Sequence, residues 1–435
     1  MVNKQKHVFL TALFLSLLPL LLSAQWLETT IDVSDFPYAL VWNSTNNKVY
    51  CAHDSTNVLT VIDGSTNSVI NNIIVPGALF VTIIPYSLIW NFVNNKVYFH
   101  NYYGGTVSVI DCEADTAITN ITVGSYPWSL VWNSTDNKIY CANSGSHTVT
   151  VIDCVGDTVV STIAVGNFPI VLTWNATNNK VYCTNYTSGT VSVIDGAGDS
   201  VITSIPVGTY HAMLGWNSIE NKVYCANFEN GYVSVIDGAG DSVIATIPVG
   251  SHPDCFEFNL VNNKVYCGNT WDATVSIIDG AGDSVITTIP VGNEMCPLPT
   301  VWNSTNNKVY CASDPNTVTV IDGATDSVIT TITVGVWPSG MAWNSIQNRI
   351  YVANMLSSTV SVIRDVTGIE EEKVLGISRN GLGATIFSGP LLLPEGKNCK
   401  VFDIAGRLVE PDKIQPGIYF IEVDGVVTQK VVKVR

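Results

Sequence analysis

Basic side chains are scarce in this sequence. Lysine and arginine account for 20 of 435 residues, against 36 aspartates and glutamates, and the formal net charge is −16. Proteins that bind nucleic acid neutralise its phosphates with clustered lysine and arginine. We therefore exclude a nucleic-acid partner.

Charged residues of both signs are few, at 13% of the chain, whereas 46% of the residues are hydrophobic. This balance excludes a disordered chain, because disorder accompanies low hydrophobicity and high charge. Glycine, asparagine, serine and threonine are abundant, which is typical of short strands joined by turns. The composition predicts a folded, β-rich protein.

Long apolar runs are absent after residue 24. The one such run, Val8–Leu22, follows two lysines and precedes the small residues Ser23 and Ala24. This arrangement predicts a secretory signal peptide over residues 1–24. A membrane anchor is the alternative, and we disfavour it because the run is short for a span and a cleavage site follows.

The strongest positive feature is an internal repeat of about 42 residues, a length typical of repeat folds. An Asn-Asn-Lys tripeptide, or a close variant, recurs eight times. Its last residues are Lys48, Lys96, Lys138, Lys180, Lys222, Lys264, Lys308 and Arg349.

Each unit contains four short apolar runs separated by Asn-, Asp- and Gly-rich turns. In one unit these are Ala212–Trp216, Lys222–Ala226, Tyr232–Ile236 and Asp241–Val249. Four antiparallel strands per unit is the pattern of a propeller blade. We predict an all-β, eight-bladed β-propeller, with seven blades as the alternative if one unit is displaced.

The two ends of the repeat region complement each other. The last unit has only three runs, and Trp26–Val33 matches the missing fourth run. We predict that this N-terminal segment completes the last blade and closes the ring, which hides two open sheet edges.

Four segments carry a resemblance to a known family: Tyr140–Asn143, Tyr182–Asn185, Tyr224–Asn227 and Tyr351–Asn354, each followed by a Thr-Val-Ser-Val-Ile-Asp-like run. Residues 26–364 resemble the YVTN family of β-propeller repeats, with cysteine where that family usually has valine. The resemblance implies a secreted or surface protein, and it implies architecture more firmly than activity.

The repeat stops after Arg364, and Asp365–Lys373 reads as a polar linker. Residues 374–435 alternate like strands and predict a small β-sandwich. The segments Val401–Val409 and Pro416–Ile421, with the Lys430–Arg435 end, resemble the C-terminal sorting domain of the type IX secretion system. That resemblance implies export by outer-membrane secretion machinery. An ordinary accessory β-domain is the alternative.

Residues 25–364 hold nine basic side chains, eight of them at the repeat position. We expect these eight to pair with turn carboxylates on one face of the propeller, with modest gain. The opposite face then has almost no cation, which makes phosphate and anionic sugars poor ligands there.

Cysteines occur 11 times, an odd number that fits no disulfide framework. Six share one strand position, where they are expected to be small buried hydrophobes: Cys51, Cys141, Cys183, Cys225, Cys267 and Cys311. Cys112 and Cys154 are a second equivalent pair. The Asp-Gly-Ala-Gly-Asp turns could hold calcium, but tight turns demand the same residues, and we prefer that interpretation.

A ring of flat side chains is predicted around one mouth of the central channel. The residues just before the inner strands are Phe36, Ile84, Tyr126, Phe168, Tyr210, His252, Cys296 and Trp337. The predicted ligand-binding residues are Phe36, Tyr126, Trp128, Phe168, Tyr210, His211, His252 and Trp337. Packing between blades is the alternative role. Trp residues within the inner strands, such as Trp42 and Trp132, are expected to be core.

One sector departs from the repeat. His252, Asp254, Glu257 and Glu294 are candidate metal ligands, and Cys255 with Cys296 is a candidate disulfide, although we prefer an ordinary polar rim. The apolar segment Ala78–Ile84 is expected to pack over the mouth or contact a partner.

No nucleophile, base and orienting group recur at a recognisable spacing. The sequence therefore predicts a monomeric, non-catalytic secreted or surface propeller, without cofactor, that binds a protein or a glycan. One alternative is a lyase or hydrolase that uses His211, His252 and Glu257. Another is a structural component of a surface layer.

Overall fold

A computed structural model describes residues 25–54, 56–75, 88–208, 210–292 and 299–366, and, further on, 384–387, 391, 399–403, 407–411, 413–415, 417–423 and 426–433. The chain divides into two compact units, of which one is Ser23–Val366 and the other contains Thr367–Arg435. The predicted signal peptide, the segment 78–84 and most of the predicted linker lie outside the described residues.

The first unit consists of eight four-stranded antiparallel sheets, which confirms the eight-bladed propeller. Blade 1 is β2 (Pro37–Asn43), β3 (Lys48–His53), β4 (Val58–Asp63) and β5 (Ser68–Ile74). Blade 2 is β6 (Leu88–Asn91), β7 (Lys96–Asn101), β8 (Thr106–Asp111) and β9 (Thr116–Thr122). Blade 3 is β10 (Pro127–Asn133), β11 (Lys138–Asn143), β12 (Thr148–Asp153) and β13 (Thr158–Ala164). Blade 4 is β14 (Pro169–Asn175), β15 (Lys180–Asn185), β16 (Thr190–Asp195) and β17 (Ser200–Pro206).

The second half of the ring repeats this order. Blade 5 is β18 (His211–Asn217), β19 (Lys222–Asn227), β20 (Tyr232–Asp237) and β21 (Ser242–Pro248). Blade 6 is β22 (Pro253–Asn259), β23 (Lys264–Asn269), β24 (Thr274–Asp279) and β25 (Ser284–Pro290). Blade 7 is β26 (Thr300–Asn303), β27 (Lys308–Ser313), β28 (Thr317–Asp322) and β29 (Ser327–Thr333). Blade 8 is β30 (Pro338–Asn344), β31 (Arg349–Asn354), β32 (Thr359–Asp365) and β1 (Gln25–Asp32). Short 3₁₀ turns follow β19 at Phe228–Asn230 and β31 at Met355–Ser357.

The N-terminal strand closes the ring, as the sequence predicts. β1 pairs antiparallel with β32, so the last blade has the order β1-β32-β31-β30. The inner strand β30 of this blade packs beside β2 of blade 1. β32 ends at Asp365, one residue beyond the predicted end of the propeller at 364.

The core lies between consecutive blades. In the second strand of each blade, the tyrosine and the following residue point to opposite sides, as alternation in a strand requires. Tyr140 packs with Cys183 and Ile194 of the next blade, for example. The tyrosine is completely buried in all eight blades. The six cysteines at the shared position are also buried and form no disulfide, and so are Cys112 and Cys154, as predicted.

Two sets of polar contacts join the blades on the face that carries the Asn-rich turns, which we call the Asn-turn face. Seven ion pairs connect the repeat lysine of one blade to an aspartate of the next, at 2.5–2.9 Å. They are Lys48–Asp115, Lys96–Asp157, Lys138–Asp199, Lys180–Asp241, Lys222–Asp283, Lys264–Asp326 and Lys308–Asp365. The predicted pairing with turn carboxylates is confirmed for six lysines, and the structure adds that it crosses between blades. Lys308 and Arg349 pair instead with carboxylates in strands, Asp365 of β32 and Glu28 of β1.

A ring of asparagine side chains forms the second set. An amide nitrogen at the end of each inner strand donates to an amide oxygen in the Asn turn of the next blade, at 2.7–2.9 Å. The pairs are Asn43–Asn95, Asn91–Asn137, Asn133–Asn179, Asn175–Asn221, Asn217–Asn263, Asn259–Asn307, Asn303–Asn348 and Asn344–Asn47. The last pair connects blade 8 to blade 1, so the ring of hydrogen bonds is complete.

The inner-strand tryptophans pack against the core, as predicted, and lie at its margin. Trp42 and Trp132 are only half-buried, and each indole N–H donates to the asparagine of its own turn, at 3.1 and 3.3 Å. An indole keeps a polar N–H that must find a partner, which favours this position at the margin of the core.

The C-terminal unit contains one five-stranded sheet of order β33-β37-β36-β34-β35. Its strands are β33 (Ala384–Phe387), β34 (Cys399–Asp403), β35 (Leu408–Val409), β36 (Gly417–Val423) and β37 (Val426–Lys433). The second sheet that a sandwich requires is not found among the residues described in this unit. Across the described parts of the chain, no helix has the length and apolar character that crossing a membrane would need.

Candidate functional site

The face opposite the Asn turns, which we call the mouth face, carries the loops before the inner strands and the hairpins between the second and third strands. Six residues that precede an inner strand have left-handed backbone conformation, with φ between 54° and 63°. They are Phe36, Tyr126, Phe168, Tyr210, His252 and Trp337. Positive φ is uncommon for aromatic residues, so its recurrence shows a fixed loop geometry.

Backbone hydrogen bonds hold these residues in place. The carbonyl oxygen of each accepts an N–H from the neighbouring hairpin, at 2.8–3.0 Å. The donors, in the same order, are Asp54, Ser144, Tyr186, Phe228, Thr270 and Met355. The loop and the hairpin of these six blades are therefore joined to each other.

Four of the six side chains are exposed. The exposed fraction is 40% for Phe36, 45% for Tyr126, 45% for Tyr210 and 44% for Trp337, whereas Phe168 and His252 are half-buried. Ile84 and Cys296, the other two predicted positions, lie outside the described residues.

Blades 2 to 5 carry a connected series of rings, which we call the aromatic arc. Seven contacts join them, with centroids 5.0–6.3 Å apart and edge-to-face or tilted geometry. Its members are Tyr103, Tyr102, Tyr126, Trp128, Phe168, Tyr186 and Tyr210. Such pairs are worth about 1 kcal/mol beyond their buried area, which helps to fix the ring orientations.

A second cluster lies at blades 5 and 6. The His252 ring stacks on Trp271, with centroids 3.8 Å apart and planes at 12°, and Phe228 meets His252 edge-on at 4.6 Å. Trp271 is 58% exposed. Phe36 and Trp337, on blades 1 and 8, have no ring contact among the residues that the structure describes.

Sequence reasoning missed the hairpin aromatics Tyr102, Tyr103, Tyr186, Phe228 and Trp271. Three of them directly follow the last asparagine of the second strand, as in Asn101-Tyr102. Aligning the repeats at that asparagine would have revealed them. They were missed because the other units have serine, threonine, aspartate or methionine there.

The charges on the mouth face are predominantly negative. Asp35, Asp54, Glu229, Asp272 and Asp314 lie in its loops and hairpins. All nine lysines and arginines of residues 25–366 lie on the Asn-turn face instead. The mouth face therefore repels anions and favours neutral or cationic ligands.

A cavity of about 180 Å³ opens within the ring of inner strands. Leu40, Met213, Phe256, Pro299 and Met341 are among its lining residues, from five of the blades. Its wall is largely apolar, and it has room for a few water molecules.

Two acids of β22 lie next to this cavity's lining residues Cys255 and Phe256. Burial raises the pKa of Asp254 to about 7, and the nearby Thr270 hydroxyl lowers it in part. Burial also raises the pKa of Glu257 to about 8, and the backbone amides of Phe258 and Trp302 oppose that shift. Each of these carboxyl groups therefore takes up a proton near neutral pH.

The candidate metal and catalytic residues are spread along the strand. His252 lies in the loop, whereas Glu257 is five residues further on, about 16 Å at the rise of an extended strand. Among the described residues, no three His, Cys, Asp or Glu side chains are grouped so that they could hold a metal ion. Glu294 and Cys296 lie outside these residues, and so does the His211 side chain.

Comparisons with known proteins support the fold. No family model matches the chain, and no curated protein matches it. A solved structure of Kuenenia stuttgartiensis hydrazine synthase is similar, with a TM-score of 0.53 and 18% sequence identity, over 76% of this chain and 97% of that one. At this identity the similarity shows a shared fold and carries no activity over.

Proposed function

We propose that this protein is a secreted or cell-surface scaffold that binds a protein or a glycan at the mouth face of its propeller, without catalysis. The observation that carries the proposal is the aromatic arc, whose rings Tyr103, Tyr126 and Tyr210 are 45–53% exposed. Exposed, ordered aromatic side chains are the residues that recognise sugars and peptides by stacking.

The arc is well suited to binding because it is already ordered. The hairpin N–H groups of Ser144, Tyr186 and Phe228 fix the backbone of its loop residues. Neighbouring rings restrict the side chains further. A ligand that stacks on the arc therefore loses little affinity to ordering of the protein.

Export supports the surface location in this proposal. The N-terminal segment 1–24 has the pattern of a signal peptide, and the last 60 or so residues resemble a type IX sorting domain. Residues 26–364 resemble the YVTN repeats, whose members are mostly secreted or surface proteins. Fractionation of a producing cell, with an antibody to the propeller, tests this part directly.

The binding test is a screen of the full chain against a glycan array and isolated surface proteins. The double variant Tyr126→Ala/Tyr210→Ala should lose the ligand that the wild type retains. Phe92→Ala is the matched control, because Phe92 is a 57% exposed aromatic residue in an Asn turn on the other face. A ligand that the double variant still binds equally well would contradict the proposal.

The outer edge of the propeller favours a second candidate function, a self-assembling surface layer. The outer strands β5, β9, β13, β17, β21, β25 and β29 contain no charged residue, whereas β1 contains Glu28 and Asp32. Uncharged, β-branched edge strands are prone to pair with other strands. Sedimentation velocity over a range of concentrations tests this, since a protein that stays monomeric does not form a layer.

A further inference from the structure

Two rings and a carboxylate meet at the junction of blades 4 and 5. Tyr186 follows β15, and Tyr210 precedes β18 of the next blade. Their ring centroids are 5.2 Å apart with planes at 76°, so the rings form a corner. The Tyr210 N–H donates to the carbonyl of Tyr186 at 3.2 Å, which fixes the two residues relative to each other.

Glu229 is the third member of this group. The N–H of Phe228 donates to the carbonyl of Tyr210 at 3.0 Å, which places the 3₁₀ turn containing Glu229 beside the corner. The pKa of Tyr186 is raised, first by partial burial and next by the negative charge of Glu229. The carboxylate is thus close enough to the ring hydroxyl to act on it.

The charge of Glu229 is not neutralised within the described part of the protein. Glu229 is exposed, and no ion pair forms to it among the described residues. Every lysine and arginine of residues 25–366 lies on the other face. A negative charge beside two aromatic rings, on a face without lysine or arginine from residues 25–366, attracts a cationic ligand.

The geometry suits one chemical class of ligand better than others. An ammonium group is attracted by the faces of aromatic rings and by a carboxylate together, which is how aromatic cages recognise methylated lysine. A neutral sugar would gain from the rings alone, and an anion would be repelled.

The other end of the aromatic arc provides a contrast. Tyr102, Tyr103 and Tyr126 also form a compact group, with two centroid distances of 5.0 and 5.1 Å from Tyr102. The groups that act on the pKa of Tyr102 besides burial are Ser144, Tyr103 and Tyr126, none of them a carboxylate. That end of the arc therefore has aromatic rings without the carboxylate that lies beside Tyr186.

We propose that Tyr186, Tyr210 and Glu229 form a binding site for an alkylammonium group, as carried by a lysine or methylated lysine side chain of a protein partner. The inference rests on the proposed binding function and names its ligand class. It assigns the cationic part of the ligand to the junction of blades 4 and 5.

The test titrates the full chain with Nα-acetyl-trimethyllysine methylamide and with its neutral analogue, in which carbon replaces the quaternary nitrogen. Chemical shifts or calorimetry follow binding at low salt. The cationic probe should bind at least about fivefold more tightly than the neutral one, given the usual strength of such contacts. Added salt should narrow this gap.

Variants distinguish the contribution of the Glu229 charge to binding from that of the Tyr210 ring. Glu229→Gln should weaken the cationic probe several-fold and leave the neutral one unchanged, and Tyr210→Ala should remove most binding of the cation. Phe92→Ala, on the Asn-turn face, is the matched control and should leave both probes unaffected. Melting curves identify any variant that fails to fold, in which case Tyr210→Leu replaces Tyr210→Ala.

Two outcomes overturn the inference. Equal binding of the two probes, or equal binding of the cationic probe by wild type and Glu229→Gln, would show that charge plays no part. If a glycan or neutral ligand binds the arc while the cationic probe does not, the ligand class is wrong and the binding function stands. If nothing in the screen or the titration binds, both fail.

Discussion

At six successive junctions on the Asn-turn face, lysine and aspartate from the same two repeat positions meet across two blades, whereas the residues before the inner strands on the mouth face include Phe, Tyr, His and Trp. The two faces are built on the same eight blades, so geometry alone does not explain the difference. Contacts that hold every blade to the next must recur, while a binding surface gains specificity from variety. The contrast supports the proposal that one face stabilises the ring and the other binds a ligand.

The closing junction refines this comparison. Between blades 8 and 1, Asn67 occupies the position of the usual aspartate, and its amide oxygen accepts from Tyr351 at 2.7 Å. Arg349 replaces lysine and binds Glu28 of β1 through two nitrogens, at 2.5 and 2.6 Å. It also donates to the carbonyl of Gly64 in blade 1 at 2.8 Å. The cation is kept at this junction, and its carboxylate comes from the closing strand.

The largest loss of stability is expected at the most deeply buried of the seven ion pairs between blades. The side chains of Lys308 and Asp365 are 4% and 0% exposed, at 2.6 Å from each other. Lys308→Met leaves the Asp365 carboxylate with amide partners only, and removal of one member of a buried pair costs about 3–5 kcal/mol. Urea unfolding of the full chain should show a clearly lowered midpoint.

Two further variants show whether the loss of stability arises from the unpaired charge of the Asp365 carboxylate. Lys308→Met/Asp365→Asn should recover much of the loss, because the buried charge is gone. Lys138→Met is the matched control at a more open junction, with side chains 18% and 16% exposed, and should cost about 1 kcal/mol. Equal losses for Lys138→Met and Lys308→Met would contradict the role of burial.

Most features of the Asn-turn face could be predicted from the sequence, but the contacts between its blades could not. The eight units, the closing strand and the pairing of lysine with turn carboxylates were predictable, because each is a local pattern repeated in phase. The partner of Lys138 was not, since Asp199 lies 61 residues away in the next blade. The asparagine ring was missed because residues such as Asn137 also have a local reason to occur, a turn with φ of 51°.

The mouth face was predicted less completely. Phe36, Tyr126 and Tyr210 were found because they share a repeat position before the inner strand. Tyr186 was missed because most units have no aromatic residue at its position and because it meets Tyr210 only where two blades join. Glu229 was missed because the other units have no glutamate there. Residues that occur in only some of the units do not belong to the repeat pattern. The pattern that predicts the fold therefore does not predict them.

The second prediction concerns pH. The pKa of Glu257 is about 8 in the folded protein, well above that of an exposed glutamate. Between the unfolded and folded pKa values, the folded state holds a proton that the unfolded state releases, so stability falls as pH rises through this window. Glu257→Gln removes this penalty.

Melting temperatures measured from pH 4.5 to 8.5 test this predicted effect of Glu257 on stability. Wild type and Glu257→Gln should melt together at the acid end, and the variant should melt higher as pH approaches 8. Asp254→Asn should behave alike with a window ending near pH 7. A constant difference at all pH values would mean that the glutamine acts through packing instead.

The third prediction separates the two faces. Tyr126→Ala/Tyr210→Ala should weaken ligand binding at least about tenfold, since aromatic anchors at interfaces commonly cost more than 1 kcal/mol each. The same variant should lower the free energy of unfolding by no more than about 1 kcal/mol for each ring contact that it removes. A large loss of stability would instead assign these rings to packing between blades.

The smallest loss of stability is expected at a core position where another blade already has the substituted residue. Cys183 is completely buried in the second strand of blade 4, and Val352 occupies the same position of blade 8, also completely buried. The blades have equivalent strand pairing, so valine should fit at Cys183 with small adjustments. Cys183→Val adds roughly one methyl group to the core, so it should lower the free energy of unfolding by about 1 kcal/mol, the low end for such insertions, because blade 8 accommodates valine at this position. Because burial raises the pKa of the Cys183 thiol, the native wild type should also resist thiol-specific reagents there. A loss above about 3 kcal/mol would show that blades 4 and 8 pack differently despite their common register.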